Sequence, residues 1–296
     1  MRDSKIDRRQ MIAGGLAALA GATLASSCRS YAKKGPQKGA RGFKLGVCDW
    51  TVRKRTDPEA LEVARRIGID GVQVDFGSGE EDLPLFDPDL QKRYIEAAKA
   101  NEIEIASLAM GTLNSVPYKS DPRTDAWVER AIGVSGAMGT NVILLAFFGK
   151  GDLKNDPAGT DAVVRKLRAA APRAEDAGVY LGIESWLNAE EHMAILERVD
   201  SPAVKVYYDV ANSHKMGYDI YSEIRQLSDH ICEFHAKDND NLYGMGSIAF
   251  REVRKAMDDI GYRGWLIMEG TKMPLGVEES CTYDAKYLRT IFPRKV

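Results

Sequence analysis

This sequence has few cysteines, few histidines and a small net charge. Its 296 residues include 4 cysteines and 4 histidines, and the formal net charge at pH 7 is −2. Beyond Cys28, the cysteines Cys48, Cys232 and Cys281 are an odd number with no close pair, which fits neither a disulfide scaffold nor a zinc ribbon. The small net charge gives no electrostatic basis for binding nucleic acid or an anionic membrane surface.

The first 28 residues have the layout of a twin-arginine export signal. Arg8 and Arg9 precede an uncharged run of small residues, Met11 to Ala25, which is too short and too rich in alanine and glycine for a membrane span. The following LASSC resembles an imperfect lipobox and leaves two outcomes open. Either Cys28 carries a lipid anchor, or cleavage near Ala32 releases a soluble periplasmic protein.

From Phe43 onward, short apolar runs alternate with longer amphipathic segments. Residues 29–42, just before them, are polar, basic and rich in turn formers, which is typical of a linker. The strand-like runs are FKLGVCDW, GVQVDF, IEIASLAM, NVILLAFF, VYLGIESW, VKVYYDV, ICEFHAK and GWLIMEG. Eight strands with helices between them predict an α/β fold, a single (β/α)8 TIM barrel over residues 43–296.

Each of the last four strand-like runs ends on a side chain that can bind a metal ion. In chain order these side chains are Glu184, Asp209, His235 and Glu269. They lie about 25 to 35 residues apart, roughly the length of one strand plus helix. Because the C-terminal ends of barrel strands meet at one mouth, we predict that the four residues share one site.

A shared metal ion accounts for this set better than four separate roles. A lone glutamate at a strand end is more often a helix cap or surface group, and a lone histidine is more often a hydrogen-bonded core residue. Three converging carboxylates without a cation would repel one another and become protonated, and a divalent ion removes that cost. Three oxygen donors and one nitrogen suit Mn²⁺, Mg²⁺, Co²⁺ or Zn²⁺ and do not choose among them.

In this order and spacing, the residues resemble the xylose-isomerase-like barrel superfamily, specifically the sugar isomerase/epimerase branch that includes ketose 3-epimerases and hydroxypyruvate isomerase. The resemblance covers roughly residues 43–292 and includes DVANSHKMGYD after the sixth strand and GMGSIAF after the seventh. It implies that the four residues ligate the metal and that Glu184 and Glu269 also act as acid and base. The metal would polarise a sugar carbonyl, so that one glutamate removes a neighbouring proton and the other returns one.

Other candidates for the site lie at or near strand ends. Lys237 shares a strand face with His235, where it would stabilise an enediolate oxygen or instead pair with Glu233 or Asp238. Aromatic and acidic candidates for the wall of a sugar pocket are Trp50, Asp75, Phe148 and Trp186.

One position departs from the family pattern. Many relatives carry a histidine three residues after the aspartate of the sixth strand, and this chain has Asn212 there. An amide still hydrogen-bonds a hydroxyl but carries no charge, so Asn212 and the nearby His214 are both candidates for substrate binding. The substrate and the reaction type therefore stay open.

Three alternatives compete with an exported sugar isomerase or epimerase. The first is a metal-dependent lyase or dehydratase acting on keto-sugars, keto-glycosides or inososes through the same proton abstraction. The second is a non-catalytic carbohydrate-binding barrel, against which the retention of two glutamates speaks. The third, a nuclease of the endonuclease IV type, needs three zinc ions and many more histidines than the 4 present. The expected partner is a small carbohydrate and not nucleic acid, and the sequence leaves homo-oligomerisation open.

Overall fold

The computed structural model of the protein describes residues 42–270 and 272–294. The predicted export signal, the proposed lipid site at Cys28 and the linker up to residue 41 lie outside the described residues and stay predictions. In the part of the chain that is described, no helix combines the length and apolar character needed to cross a membrane.

Eight parallel strands close into one barrel in the order of the sequence, and the last strand pairs with the first. The strands are β1 (Lys44–Cys48), β2 (Gly71–Asp75), β3 (Glu104–Met110), β4 (Val142–Phe147), β5 (Tyr180–Ser185), β6 (Val204–Asp209), β7 (Ile231–Ala236) and β8 (Trp265–Met268). Each of them falls within one of the eight strand-like runs, so the predicted (β/α)8 barrel is confirmed.

Helices connect the strands along the whole described chain. They are α1 (Glu59–Ile67), α2 (Pro88–Asn101), α3 (Arg123–Ala137), α4 (Pro157–Ala177), α5 (Ala189–Val199), α6 (Val210–Lys215), α7 (Ile220–Leu227), α8 (Phe250–Asp259) and α9 (Val277–Ile291). Local sequence sets where they begin. In α2, for example, the Asp87 carboxylate accepts from the Asp89 backbone N–H and Pro88 occupies the first turn.

Successive side chains of a strand point to opposite faces and so belong to two different apolar clusters. Along β4, one set of residues packs in the large core cluster that also contains helix residues, and these are Ile143, Leu145 and Phe147. The residues between them join a smaller cluster with Ala109 and Tyr207, and these are Val142, Leu144 and Ala146. Both faces of a strand in a closed parallel barrel are buried, which explains why these runs read as almost continuously apolar. The second set faces the barrel interior, where the site lies.

Candidate metal centre and active site

The four side chains predicted at the ends of the last four strands come together at the mouth of the barrel. Each offers one ligand atom, and these atoms all lie within 4.8 Å of one another. His235 Nδ1 is 3.0 Å from Glu184 Oε1, 3.3 Å from Glu269 Oε2 and 3.9 Å from Asp209 Oδ2. The barrel therefore brings three carboxylates and one imidazole nitrogen to a single point.

Two of these carboxylates use one oxygen for the protein and turn the other towards the cluster. Asp209 ends β6 and caps α6, because its Oδ1 accepts from the backbone N–H groups of Ala211 at 2.8 Å and Asn212 at 2.9 Å. Glu269 Oε1 accepts from the indole Nε1 of Trp50 at 3.2 Å. The local structure thus fixes both carboxylates and leaves one oxygen of each turned towards the cluster.

The two remaining oxygens fit a bound cation. Asp209 Oδ2 and Glu269 Oε2 are buried, and within the described residues neither accepts a hydrogen bond of good geometry. Both face the ammonium group of Lys237, with Nζ at 2.9 Å from Asp209 Oδ2 and at 2.6 Å from Glu269 Oε2. Buried anionic oxygens need such a positive partner, and hard divalent cations bind oxygens of this kind. The residues present therefore suit a divalent metal ion.

The ionisable groups of the cluster shift one another in different directions. Burial raises the pKa of Glu184 above its usual value, although His235 opposes the shift. Burial acts on Glu269 in the same sense, but the charges of Lys237 and His235 outweigh it and hold its pKa below the usual range. Burial opposes the charge on His235 as well, yet Glu184 and Glu269 raise its pKa to about 9. The two glutamates thus sit in unlike electrostatic environments.

Lys237 contacts this cluster and does not pair with Glu233 or Asp238, the alternative partners predicted for it. Besides its contacts with Asp209 and Glu269, its Nζ is 3.5 Å from Asn212 Oδ1. Glu233 bonds to other side chains inside the barrel, and Asp238 accepts from backbone N–H groups of the loop that follows β7. The pairing of Lys237 with Glu233 or Asp238 is therefore wrong.

A cavity of about 300 Å³ opens beside the cluster. All the predicted wall residues line it, and they are Trp50, Asp75, Phe148 and Trp186. Asn212, a predicted substrate contact, lines it as well. The rings of Phe148 and Trp186 meet edge to face with centroids 4.9 Å apart. A cavity of this size is at the small end of ligand pockets, which suits a molecule as small as a monosaccharide.

His214 does not line this cavity. Its Nε2 lies 3.0 Å from Ser247 Oγ, so it links the segments that follow β6 and β7. Asn212 and His214 both lie on α6, where two residues are separated by about 200° around the helix axis. Asn212 faces the cavity and places its Nδ2 3.4 Å from Glu184 Oε1, so His214 points elsewhere. The predicted substrate contact by His214 is not supported by this placement.

Sequence reasoning missed Gln73, which supports His235 from inside the barrel. Gln73 Oε1 lies 2.8 Å from His235 Nε2, and Gln73 Nε2 donates to Ser107 Oγ and Tyr207 OH, both at 2.9 Å. The hydroxyls of Ser107 and Tyr207 in turn donate to Glu233 Oε1 at 2.6 and 2.9 Å. The available signal was a polar residue in the middle of the apolar run GVQVDF.

When Glu233 is ionised and the His235 ring is neutral, this network sets which nitrogen of the ring carries the proton. The hydroxyl hydrogens of Ser107 and Tyr207 are donated to Glu233. The hydroxyl oxygens can therefore only accept from the amide nitrogen of Gln73. The amide oxygen of Gln73 must then face His235 and accept from Nε2–H. A neutral His235 ring therefore presents the lone pair of Nδ1 to the three carboxylates, as a metal ligand must.

We expect Gln73→Leu to weaken divalent metal binding by about ten- to hundred-fold, since losing an outer partner of a ligand histidine typically costs that much. Titration calorimetry of the metal-stripped protein with Mn²⁺ would measure the change. The matched control is Gln226→Leu, the same change at an exposed position of α7, which should bind the metal as tightly as the wild type. Wild-type affinity in Gln73→Leu would contradict a supporting role for Gln73.

A family model described as "Xylose isomerase-like TIM barrel" matches residues 61–291. The putative L-ribulose-5-phosphate 3-epimerase SgbU of Escherichia coli (strain K12) is 24% identical over 262 residues, covering 77% of this chain and 89% of that protein. The 2-epi-5-epi-valiolone 7-phosphate 2-epimerase of Actinoplanes sp. is 23% identical over 177 residues, covering 60% of this chain and 65% of that protein.

Solved structures share the fold. A crystal structure of D-psicose 3-epimerase in the presence of D-fructose aligns with a TM-score of 0.72 at 17% identity, covering 84% of this chain and 99% of that one. At this identity the likeness concerns the fold alone.

Proposed function

We infer that this chain, which belongs to the xylose isomerase-like TIM barrel family, is a sugar epimerase or isomerase that depends on one divalent metal ion. The observation that carries the proposal is the cluster of Glu184, Asp209, His235 and Glu269, whose ligand atoms lie within 4.8 Å of one another beside a cavity of about 300 Å³. The relatives named above as epimerases support the same reaction class.

The cluster would hold the metal through three carboxylate oxygens and the Nδ1 of His235. When bound, a divalent ion polarises the carbonyl of a sugar and thereby acidifies the neighbouring C–H bond. The donor set suits Mn²⁺, Mg²⁺, Co²⁺ and Zn²⁺.

Glu184 and Glu269 supply the proton transfers. One carboxylate takes the proton from the carbon next to the carbonyl, and the other carboxyl group returns a proton. Return to the opposite face of the same carbon gives an epimer, whereas return to the neighbouring carbon gives an isomer. Both side chains line the cavity, so each can reach a molecule bound there.

Lys237 and the aromatic wall assist this transfer. The pKa of Lys237 is raised well above its usual value because Asp209 and Glu269 outweigh the effect of burial, so the side chain stays positively charged. A fixed charge at this place stabilises negative charge that develops on a substrate oxygen. Phe148 and Trp186 form an apolar side of the cavity that shields the reacting carbon from bulk water.

Exchange of substrate protons with deuterated water tests the proposal. We expect the protein, loaded in turn with each of the four ions, to exchange the C–H proton next to the carbonyl of unphosphorylated ketoses such as D-fructose. A chelator should stop the exchange, and proton NMR would follow both the exchange and the products. Release of water or of an aglycone would favour the lyase or dehydratase alternative, and sugar binding without exchange would favour a carbohydrate-binding barrel.

A further inference from the structure

We propose that Arg55 binds the end of the substrate that lies away from the metal ligands, and that this end is uncharged and carries hydroxyl groups. The inference rests on the proposed function, because it concerns the sugar that this cavity would hold. Arg55 lies in the loop between β1 and α1, and it lines the same cavity as Glu184, Lys237 and Glu269.

Arg55 is held in place by an ion pair and by an aromatic ring. Its Nη1 donates to Asp75 Oδ2 at 3.2 Å, and its Cζ lies 5.3 Å from the centroid of the Trp50 ring. The side chain nevertheless remains 52% exposed. Within the described residues, the bond to Asp75 is the one hydrogen bond of this guanidinium, so four of its five N–H donors remain for a ligand.

Trp50 ties Arg55 to the metal end of the cavity. The N–H of its indole donates to Glu269 Oε1 at 3.2 Å, while the face of the same ring contacts the guanidinium. One rigid side chain therefore touches both a predicted metal ligand and Arg55. A sugar held at its carbonyl end by the metal site would extend along this ring towards Arg55.

Asp75 serves to orient Arg55. Its carboxylate is only 1% exposed and also accepts from the Gly77 backbone N–H at 2.6 Å. Gly111 makes room for the pair, because a Cβ atom there would lie 2.7 Å from Asp75 Oδ2. Asp75 is thus engaged by the protein, and Arg55 is the partner that faces the cavity.

Asp49 holds the backbone at Thr56, which follows Arg55, and at Asp75. It is completely buried, and its Oδ2 accepts from the backbone N–H groups of Thr56 at 2.9 Å and Asp75 at 3.0 Å. Arg53 and Thr56, on either side of Arg55 in the loop, have φ angles of 58° and 56°, which non-glycine residues seldom adopt. Such strained backbone persists only where its surroundings hold it. Asp49 is therefore a positioning residue for Arg55.

The charges around the cavity favour an uncharged substrate. Three carboxylates and two cations line it, and they are Glu184, Glu269 and Asp75 with Lys237 and Arg55. A fourth carboxylate, Asp209, lies in the adjoining metal cluster. A divalent ion would balance this set, and the charge of Arg55 is already matched by Asp75. Among the described lining residues there is no third cation to receive a phosphate dianion. The donors of Arg55 therefore suit hydroxyl oxygens, unlike the phosphates in the names of the two relatives.

A pair of substrates of different length tests the role of Arg55. Dihydroxyacetone has a carbonyl and adjacent hydroxyls but no remote end, whereas D-fructose extends three carbons further. The quantity to compare is kcat/KM for proton exchange with D-fructose divided by kcat/KM with dihydroxyacetone. We expect Arg55→Ala to lower this ratio by about ten-fold or more, mainly by raising the KM for D-fructose. The metal Kd should stay within about two-fold of wild type. An equal loss on both substrates would overturn the inference.

Two further variants sharpen this test. Arg65→Ala removes the same charge at an exposed position of α1 that does not line the cavity, so its substrate ratio should equal that of the wild type. Asp49→Ala removes the acceptor for both backbone N–H groups and should lower the ratio in the same sense as Arg55→Ala, whereas Asp49→Asn keeps an acceptor oxygen and should restore it. With the wild type, D-ribulose should exchange faster than D-ribulose 5-phosphate, and the reverse preference would overturn the claim of an uncharged substrate.

Failure of the inference and failure of the proposed function give different results. If the wild type exchanges protons and Arg55→Ala leaves the substrate ratio unchanged, only the inference fails. If the wild type exchanges no protons, the proposed function fails, and calorimetric binding of D-fructose decides the role of Arg55. Weaker binding by Arg55→Ala than by the wild type would support it, and equal or undetectable binding by both would overturn it.

Discussion

Glutamine in place of Glu184 is expected to slow ketose proton exchange by about 10²- to 10⁴-fold, the usual contribution of general acid–base catalysis. The amide has the shape of the carboxyl group but neither takes nor gives the proton. Stopped time courses of deuterium uptake by proton NMR, at saturating Mn²⁺, would measure the loss in kcat. Glu269→Gln should act in the same way, because the two residues share the transfer.

A folded, metal-bound variant is needed to interpret that loss. Burial disfavours the charged form of Glu184, so a neutral isostere should be tolerated and the thermal unfolding midpoint should not fall by more than a few degrees. Glu197→Gln, on an exposed position of α5, is the matched control and should keep wild-type exchange. Normal exchange by a folded Glu184→Gln protein would remove this residue from the mechanism.

Lys237→Met is expected to lower the exchange rate by about 10²- to 10³-fold without weakening metal binding. The rate should fall because a fixed positive charge next to the reacting oxygen is lost. Affinity for the divalent ion should stay equal or rise, because the ammonium group contacts the same two oxygens, Asp209 Oδ2 and Glu269 Oε2, that the ion would use. Calorimetric titration and exchange kinetics on one preparation would measure both quantities.

Lys237→Arg separates charge from geometry in this experiment. Arginine keeps the positive charge but distributes it over a wider, planar group, so the rate should recover only in part. If Lys237→Met instead lost the metal and kept its exchange rate with excess ion, Lys237 would be a structural counter-ion for Asp209 and Glu269. Its assigned role in catalysis would then be wrong.

The sequence predicts the barrel well because its signals are local. Each strand is a short apolar run, and a closed parallel barrel buries both faces of every strand. Glu184, Asp209, His235 and Glu269 could be found for the same reason, since a polar residue at the end of such a run lies at the mouth of the barrel once the fold is known.

The remaining site residues depend on contacts between distant parts of the chain. Gln73 meets His235 across 162 residues of sequence, so only the arrangement of the closed barrel brings the two together. Arg55 lies in a loop whose unusual backbone angles leave no sequence signal. Nearness to Asn212 along the chain predicts a substrate contact for His214, but a two-residue step on a helix turns the His214 side chain away.

The most direct test of the central claim is elemental analysis of the wild-type protein purified without added metal, beside Glu269→Gln. We predict about one equivalent of a divalent ion per chain in the wild type and clearly less in the variant, since Glu269 would supply one of the four ligands. About three equivalents of zinc would favour the nuclease alternative. Wild-type protein that holds no ion, and binds none when titrated, would contradict a metal-dependent sugar epimerase or isomerase.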